Sequence, residues 1–208
     1  MLDNEKLLET NSLTDLDIDL ADNIISIILE EDYNIPLVKT AIAIYKTGKG
    51  ISEYLFAVKL QKFLQECKNI DKEKQQAFIT KNVEGKEKRV GLNFIQLLSN
   101  LDEVEKATIV GKVYKYCVEN GLNIKFYLRI CYLVNECYYD DILELKHFRT
   151  NDRISSKNKV MDTETLVSLY AAGLLSEYGY NGGGFTDEDD EGTIFGLNKY
   201  SEIIVDLM

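Results

Sequence analysis

The densest chemistry in the chain is the acidic run Asp187, Glu188, Asp189, Asp190, Glu191, followed by Gly192 and Ile194. Taken as a calcium loop, Asp187, Asp189 and Glu191 supply oxygens at the first, third and fifth positions, Gly192 the turn at the sixth and Ile194 the apolar residue at the eighth. The twelfth position is Asn198, which cannot give the bidentate carboxylate, and Gly182-Gly183-Gly184 stand where most of an entering helix belongs. We therefore expect no metal here and read the run as a solvated hairpin tip. The one histidine, His147, falls near a helix C-terminus, where a cationic ring favours the dipole. No serine, cysteine or second histidine stands in a motif with it, so no nucleophilic constellation is expected. Thr47-Gly48-Lys49-Gly50-Ile51-Ser52 lacks the glycine spacing and the Lys-Ser/Thr pair of a phosphate loop. Cys67, Cys117, Cys131 and Cys137 form no Cys-x-x-Cys pair and read as buried thiols of a reducing cytosol. The expectation is a protein without catalytic residues or cofactor, not an enzyme.

Composition narrows the partners. Asp and Glu number 35 against 24 Lys and Arg, a net charge of -11, so the averaged field repels a phosphate backbone and attracts basic surfaces. The chain is 208 residues long and 45% hydrophobic, enough for a sizeable core, and a single proline with long periodic segments favours helices over a many-stranded sheet. Its first twenty residues are acidic and show no basic start followed by an apolar run, so a cytoplasmic protein is expected.

The elements follow from periodicity and caps. Residues 1–18 read as a flexible acidic arm, 19–148 as a helical bundle, 149–161 as a polar linker and 162–208 as a small α+β module, giving an all-α class with a C-terminal β element. Pro36 suits the first turn of a helix, and Ile51 to Cys67 continues the apolar pattern with Leu55, Val58 and Phe63 as expected core contacts. Asp71 is a cap, Val90, Phe94, Leu97 and Leu98 form a stripe, and Asp102 with Glu105 opens a helix carrying Ala107, Val110, Tyr114 and Cys117 inward. Asn120-Gly121 stops that helix, and Asn123 caps one expected to run unbroken to about Phe148. Its tyrosines, including Tyr138 and Tyr139, are expected at the core margin. As a membrane segment, 35–64 would carry Lys39, Lys46, Lys49, Glu53, Lys59 and Lys62 into hydrocarbon, so a buried hairpin is expected instead.

The C-terminal order is an apolar helix from Thr163 to Ala172, a stop at Gly173, Leu174-Leu175, a hairpin signal, a β-like run Thr193–Leu197 and a closing helix. With Gly173-Leu174-Leu175 and Phe195-Gly196-Leu197-Asn198-Lys199-Tyr200-Ser201-Glu202, this stretch resembles the last third of a winged-helix domain. Asn198 takes the place of the usual threonine cap and Ser201 that of the usual glycine. The resemblance implies a recognition helix, a two-stranded wing and a final helix. Three features oppose its usual use on DNA. The expected recognition helix has acids and no Lys or Arg; the wing is acidic; the residues ahead of it are a polar loop. The layout as a whole is similar to small proteins of Gram-positive bacteria and their mobile elements, which implies a role in phage–host conflict or its regulation.

Three functional classes follow. A non-enzymatic protein contacting a basic protein partner, or a second copy of itself, fits the charge, with Tyr138, Tyr139, Tyr178, Tyr180, Asp187, Asp189 and Asp190 as contact residues. A transcription regulator fits the module's shape and would need the basic residues Lys157–Lys159 or a dimer for phosphate contacts. A membrane-acting effector fits only 35–64. Nucleic acid and membrane are the less favoured partners.

Overall fold

A computed structural model describes residues 51–67, 70–82, 87–182 and 192–208. The arm at 1–18, the apolar start of the hairpin at 35–50 and the acids Asp187, Glu188, Asp189, Asp190 and Glu191 lie outside the described residues. The described chain is mostly helical, with one small three-stranded antiparallel sheet near its C-terminal end. It divides into two compact units, residues 1–111 and 112–208, and the division falls inside a helix.

The described part of the first unit holds α1 (Ile51–Cys67), α2 (Lys72–Asn82), α3 (Glu87–Asn100) and the start of α4 (Lys106–Glu119). On α1 the buried residues are Phe56, Lys59, Leu60, Phe63, Leu64 and Cys67, one continuous helical face. Leu55, expected in the core, is 42% exposed because it sits beside that face rather than on it. Phe63 meets Phe94 of α3 edge-on at 4.8 Å, and Phe94 and Leu98 are buried as the stripe requires. Asp71 accepts from the backbone N–H groups of Glu73 and Lys74 at 3.0 and 2.9 Å, as a cap should.

The expected start at Asp102 falls four residues early: Asp102 accepts from Glu103 N–H, and α4 begins at Lys106. Lys106 is fully buried and its Nζ reaches Asp102 at 2.6 Å. The Lys59 ammonium donates to the carbonyls of Ser99 and Leu101 at 3.3 and 2.5 Å, satisfying acceptors at the end of α3 that no helical amide can reach. Burial lowers the Lys59 pKa against the opposing pull of Asp102. Gly111 lets α4 approach α1 so closely that a Cβ would stand 2.7 Å from the Phe63 carbonyl oxygen.

The second unit contains the rest of α4, then α5 (Ile124–Asn135), α6 (Tyr139–Glu144), a 3-10 turn (Leu145–Arg149), β1 (Ile154–Ser155), α7 (Thr163–Ala171), β2 (Leu175–Asn181), β3 (Gly192–Leu197) and α8 (Lys199–Leu207). Asn123 caps α5, accepting from Phe126 N–H at 2.9 Å, and Gly121 ends α4 at φ 63. The helix expected to run from Ile124 to Phe148 is interrupted after Asn135. Tyr138 is extended at φ -63, ψ 141, and α6 restarts with Asp140 and Asp141 in its first turn, where carboxylates favour a helix N-terminus. Tyr127 is buried and meets Tyr114 edge-on at 5.5 Å, whereas Tyr132 and Tyr138 are largely exposed.

The polar stretch 149–161 carries β1, whose Ile154 and Ser155 are buried and pair with Phe195 and Ile194 of β3. Strand order is β1-β3-β2, all antiparallel. Two cations close the C-terminal end of α8: Arg149 Nη2 donates to the Val205 carbonyl at 2.8 Å and Lys112 Nζ to that of Leu207 at 2.9 Å.

Candidate protein-contact surface

The surface begins with the ends of α7. Asp162 accepts from the Thr165 N–H and hydroxyl, both at 2.8 Å, and these bonds hold its carboxyl below the usual range. Gly173, at φ 80, closes the helix by a left-handed turn in which its own N–H donates to the Tyr170 carbonyl and that of Leu174 to the Leu169 carbonyl. Between these ends Leu166 and Leu169 are buried, which leaves Thr163, Glu164, Val167, Tyr170 and Ala171 exposed on the outward side. Val167 is 50% and Tyr170 43% exposed. The Ser168 hydroxyl donates to Asp141 of α6, so the side of α7 next to the exposed one is tied down.

The sheet decides which tyrosines join this side of α7. Tyr170 lies against Phe195 with ring centroids 5.5 Å apart, so α7 covers the face to which Phe195 points. Glu177 pairs with Phe195 and Tyr180 with Thr193, which places both on that same face. Tyr178 points the other way: its ring lies over Gly196, where a Cβ would come within 2.9 Å of it, and the Arg153 guanidinium stacks on it at 4.3 Å. Two tyrosines that a regular strand would align are separated by the irregularity between Glu177 and Tyr180, where Gly179 takes φ 108.

The described tyrosines among the residues expected at a contact surface fall in different places. Tyr180, 67% exposed, shares the face of α7; Tyr178 belongs to the opposite face. Tyr138, 71% exposed, stands at the start of α6, and Tyr139 beside it is half-buried. Asp187, Asp189 and Asp190 lie outside the described residues. Val167 and Tyr170 were not anticipated as contact residues, although the spacing of Glu164, Val167 and Tyr170 against buried Leu166 and Leu169 is readable from helical periodicity.

His147 Nε2 lies 3.0 Å from Glu144, and Lys146 pairs with the same carboxylate at 3.1 Å. Burial pushes the Cys117 thiol up to about 12 and the Cys131 thiol higher, which keeps both protonated and poor nucleophiles. Among the described residues no three His, Cys, Asp or Glu side chains are grouped to hold a metal, and no helix is long and apolar enough to cross a membrane. The chain matches no family model, no curated protein and no solved structure.

Proposed function

We propose that this is a non-enzymatic, cytoplasmic binding protein whose residues 162–208 are a winged-helix-like module turned to protein contact. The order strand, helix, strand, strand, helix and the strand arrangement β1-β3-β2 support the winged-helix-like reading. One observation carries the functional part: the outward side of α7 is Thr163, Glu164, Val167, Tyr170 and Ala171, with no cation for a phosphate or a guanine edge. Half-exposed apolar side chains on a fixed helix suit a protein surface, and Tyr170, held by Phe195, supplies a rigid aromatic anchor. The -11 charge favours a basic partner, and the resemblance noted above points to a role in phage–host conflict.

The test is capture of a stoichiometric partner by the immobilised chain from its native host, before and after phage infection. Val167→Asp and Tyr170→Ala should abolish capture, while Tyr132→Ala should not; capture that survives both α7 substitutions sinks the reading. Transcription regulation is the second reading, favoured by the strand order and by the exposed Arg153, Lys157 and Lys159 around β1. It predicts retention on duplex DNA that weakens steeply with salt.

A further inference from the structure

Two asparagine–glycine pairs occur in the second unit, Asn120-Gly121 and Asn181-Gly182, and the fold treats them differently. In this dipeptide a backbone nitrogen attacks the side-chain amide before it most readily, because glycine has no Cβ to shield its N–H and rotates freely. The attack turns the glycine nitrogen toward the asparagine Cγ, so hydrogen bonds that hold either group oppose it.

At the end of α4 both groups are held. The Gly121 N–H donates to the Val118 carbonyl at 3.3 Å and that of Leu122 to the Cys117 carbonyl at 2.9 Å, the closing bonds of a left-handed helix end with Gly121 at φ 63. The Asn120 N–H and Nδ2 both donate to the Tyr116 carbonyl, at 3.0 and 2.9 Å, which anchors the side-chain amide as well.

The end of β2 is held by less. Asn181 is its last residue, and the irregularity between Glu177 and Tyr180 cuts off the final pairs, Tyr180 with Thr193 and Asn181 with Gly192, from the rest of the ladder. Short terminal stretches of this kind open locally without unfolding the domain. Gly182, just beyond, is exposed, and no atom outside its chain neighbours lies within 4 Å of where a Cβ would stand.

We propose that Asn181 is a site of spontaneous deamidation and that the fold protects Asn120, an inference independent of the protein-contact reading. The Gly182 nitrogen bonds to Asn181 Cγ, the Cγ–Nδ2 bond breaks, and Nδ2 leaves as ammonia, taking up the amide proton. Water then opens the cyclic imide. Opening at Cγ leaves aspartate; opening at the backbone carbonyl leaves isoaspartate, whose main chain runs through the former side chain. Both products add a negative charge next to Tyr180. Isoaspartate also lengthens the backbone by a methylene, which removes the register of the last pair with β3.

The test is incubation of the full native chain in mildly alkaline buffer, then peptic digestion in acid, where the cyclisation is slow. Mass spectrometry reads the exchange of NH for O at each asparagine, and an isoaspartyl methyltransferase labels the isoaspartate. Asn181 should react about tenfold faster than Asn120 or more, since opening the end of α4 breaks several hydrogen bonds. In urea the two rates should approach one another. Gly182→Ala, which has room for its Cβ and no left-handed φ to strain it, should slow the reaction at Asn181 about tenfold and leave Asn120 unchanged. The proposal is overturned if Asn120 reacts as fast as Asn181 in the native chain, if Asn181 reacts only in urea, if the difference in rates persists in urea, or if Gly182→Ala leaves the rate at Asn181 unchanged.

Discussion

Asn198 performs two tasks that no other side chain can combine at that position, and its substitutions separate them. Its Oδ1 accepts from the N–H groups of Tyr200 and Ser201 at 3.0 and 3.3 Å, while the Ser201 hydroxyl accepts from the Asn198 N–H at 3.0 Å and completes a capping box for α8. Its Nδ2 donates at 2.8 Å to the carbonyl of Gly173, the residue that ends α7. Asn198→Ala removes a cap worth about 1 kcal/mol and a hydrogen bond worth about 1 kcal/mol, a loss of roughly 2 kcal/mol. Asn198→Asp keeps the acceptor and gains from the helix dipole, but places a carboxylate oxygen against the Gly173 carbonyl, for a loss of about 1 kcal/mol. Urea unfolding followed by circular dichroism gives the two magnitudes, and hydrogen exchange should show both losses at α8 and at the turn after α7. If the aspartate variant equals or exceeds the wild type, the bond to Gly173 contributes nothing and this account of how α7 and α8 are joined fails.

Three further outcomes follow from the same structure. Gly111→Ala should destabilise by about 1 to 2 kcal/mol in urea unfolding, because overpacking against the Phe63 carbonyl outweighs the roughly 1 kcal/mol that alanine gains in an open helix; net stabilisation would show the approach of α4 to α1 to be loose. The four cysteines are buried, so a thiol-reactive disulfide dye at pH 8 should leave the native chain unlabelled and label all four in urea. Burial raises the Asp102 carboxyl, but the hydrogen bond and charge of Lys106 outweigh it and hold it below its usual value. The contribution of Asp102 to stability is therefore present above the ordinary carboxylate pKa and is lost as pH falls through the lowered one. Asp102→Asn should flatten the acid limb of the urea midpoint against pH, and an unchanged limb would exclude the pair as its source.

Much of the helical layout is legible without coordinates, because caps and stops are local chemistry. Asp71, Asn123, Asp162 and Asn198 all cap through their own side-chain oxygens, and Gly121 and Gly173 take the left-handed turns their positions call for. The break at Tyr138 also has a local signal, the acids Asp140 and Asp141, but apolar periodicity continuing through Cys137 and Ile142 masks it. Leu55 is exposed because a helix apolar on several sides leaves its inward face to be chosen by the neighbours. β1 had no signal to find. Two residues make no periodicity, and Ile154 and Ser155 are a strand only because β3 offers them an edge.

The charge balance and the ends of most helices are fixed by the sequence, since the first is composition alone and the second depends on residue types within one or two turns of one another. Tertiary structure alone decided which side chains share a surface. Tyr178 and Tyr180 are two residues apart, the spacing of one face in a regular strand, yet the irregularity at Gly179 turns them to opposite faces of the sheet. Packing between distant segments brings Tyr180 onto the face covered by α7, and it sets Arg149 against the Val205 carbonyl, more than fifty residues later in the chain. Register and packing between distant segments govern such neighbourhoods, and no local pattern encodes them.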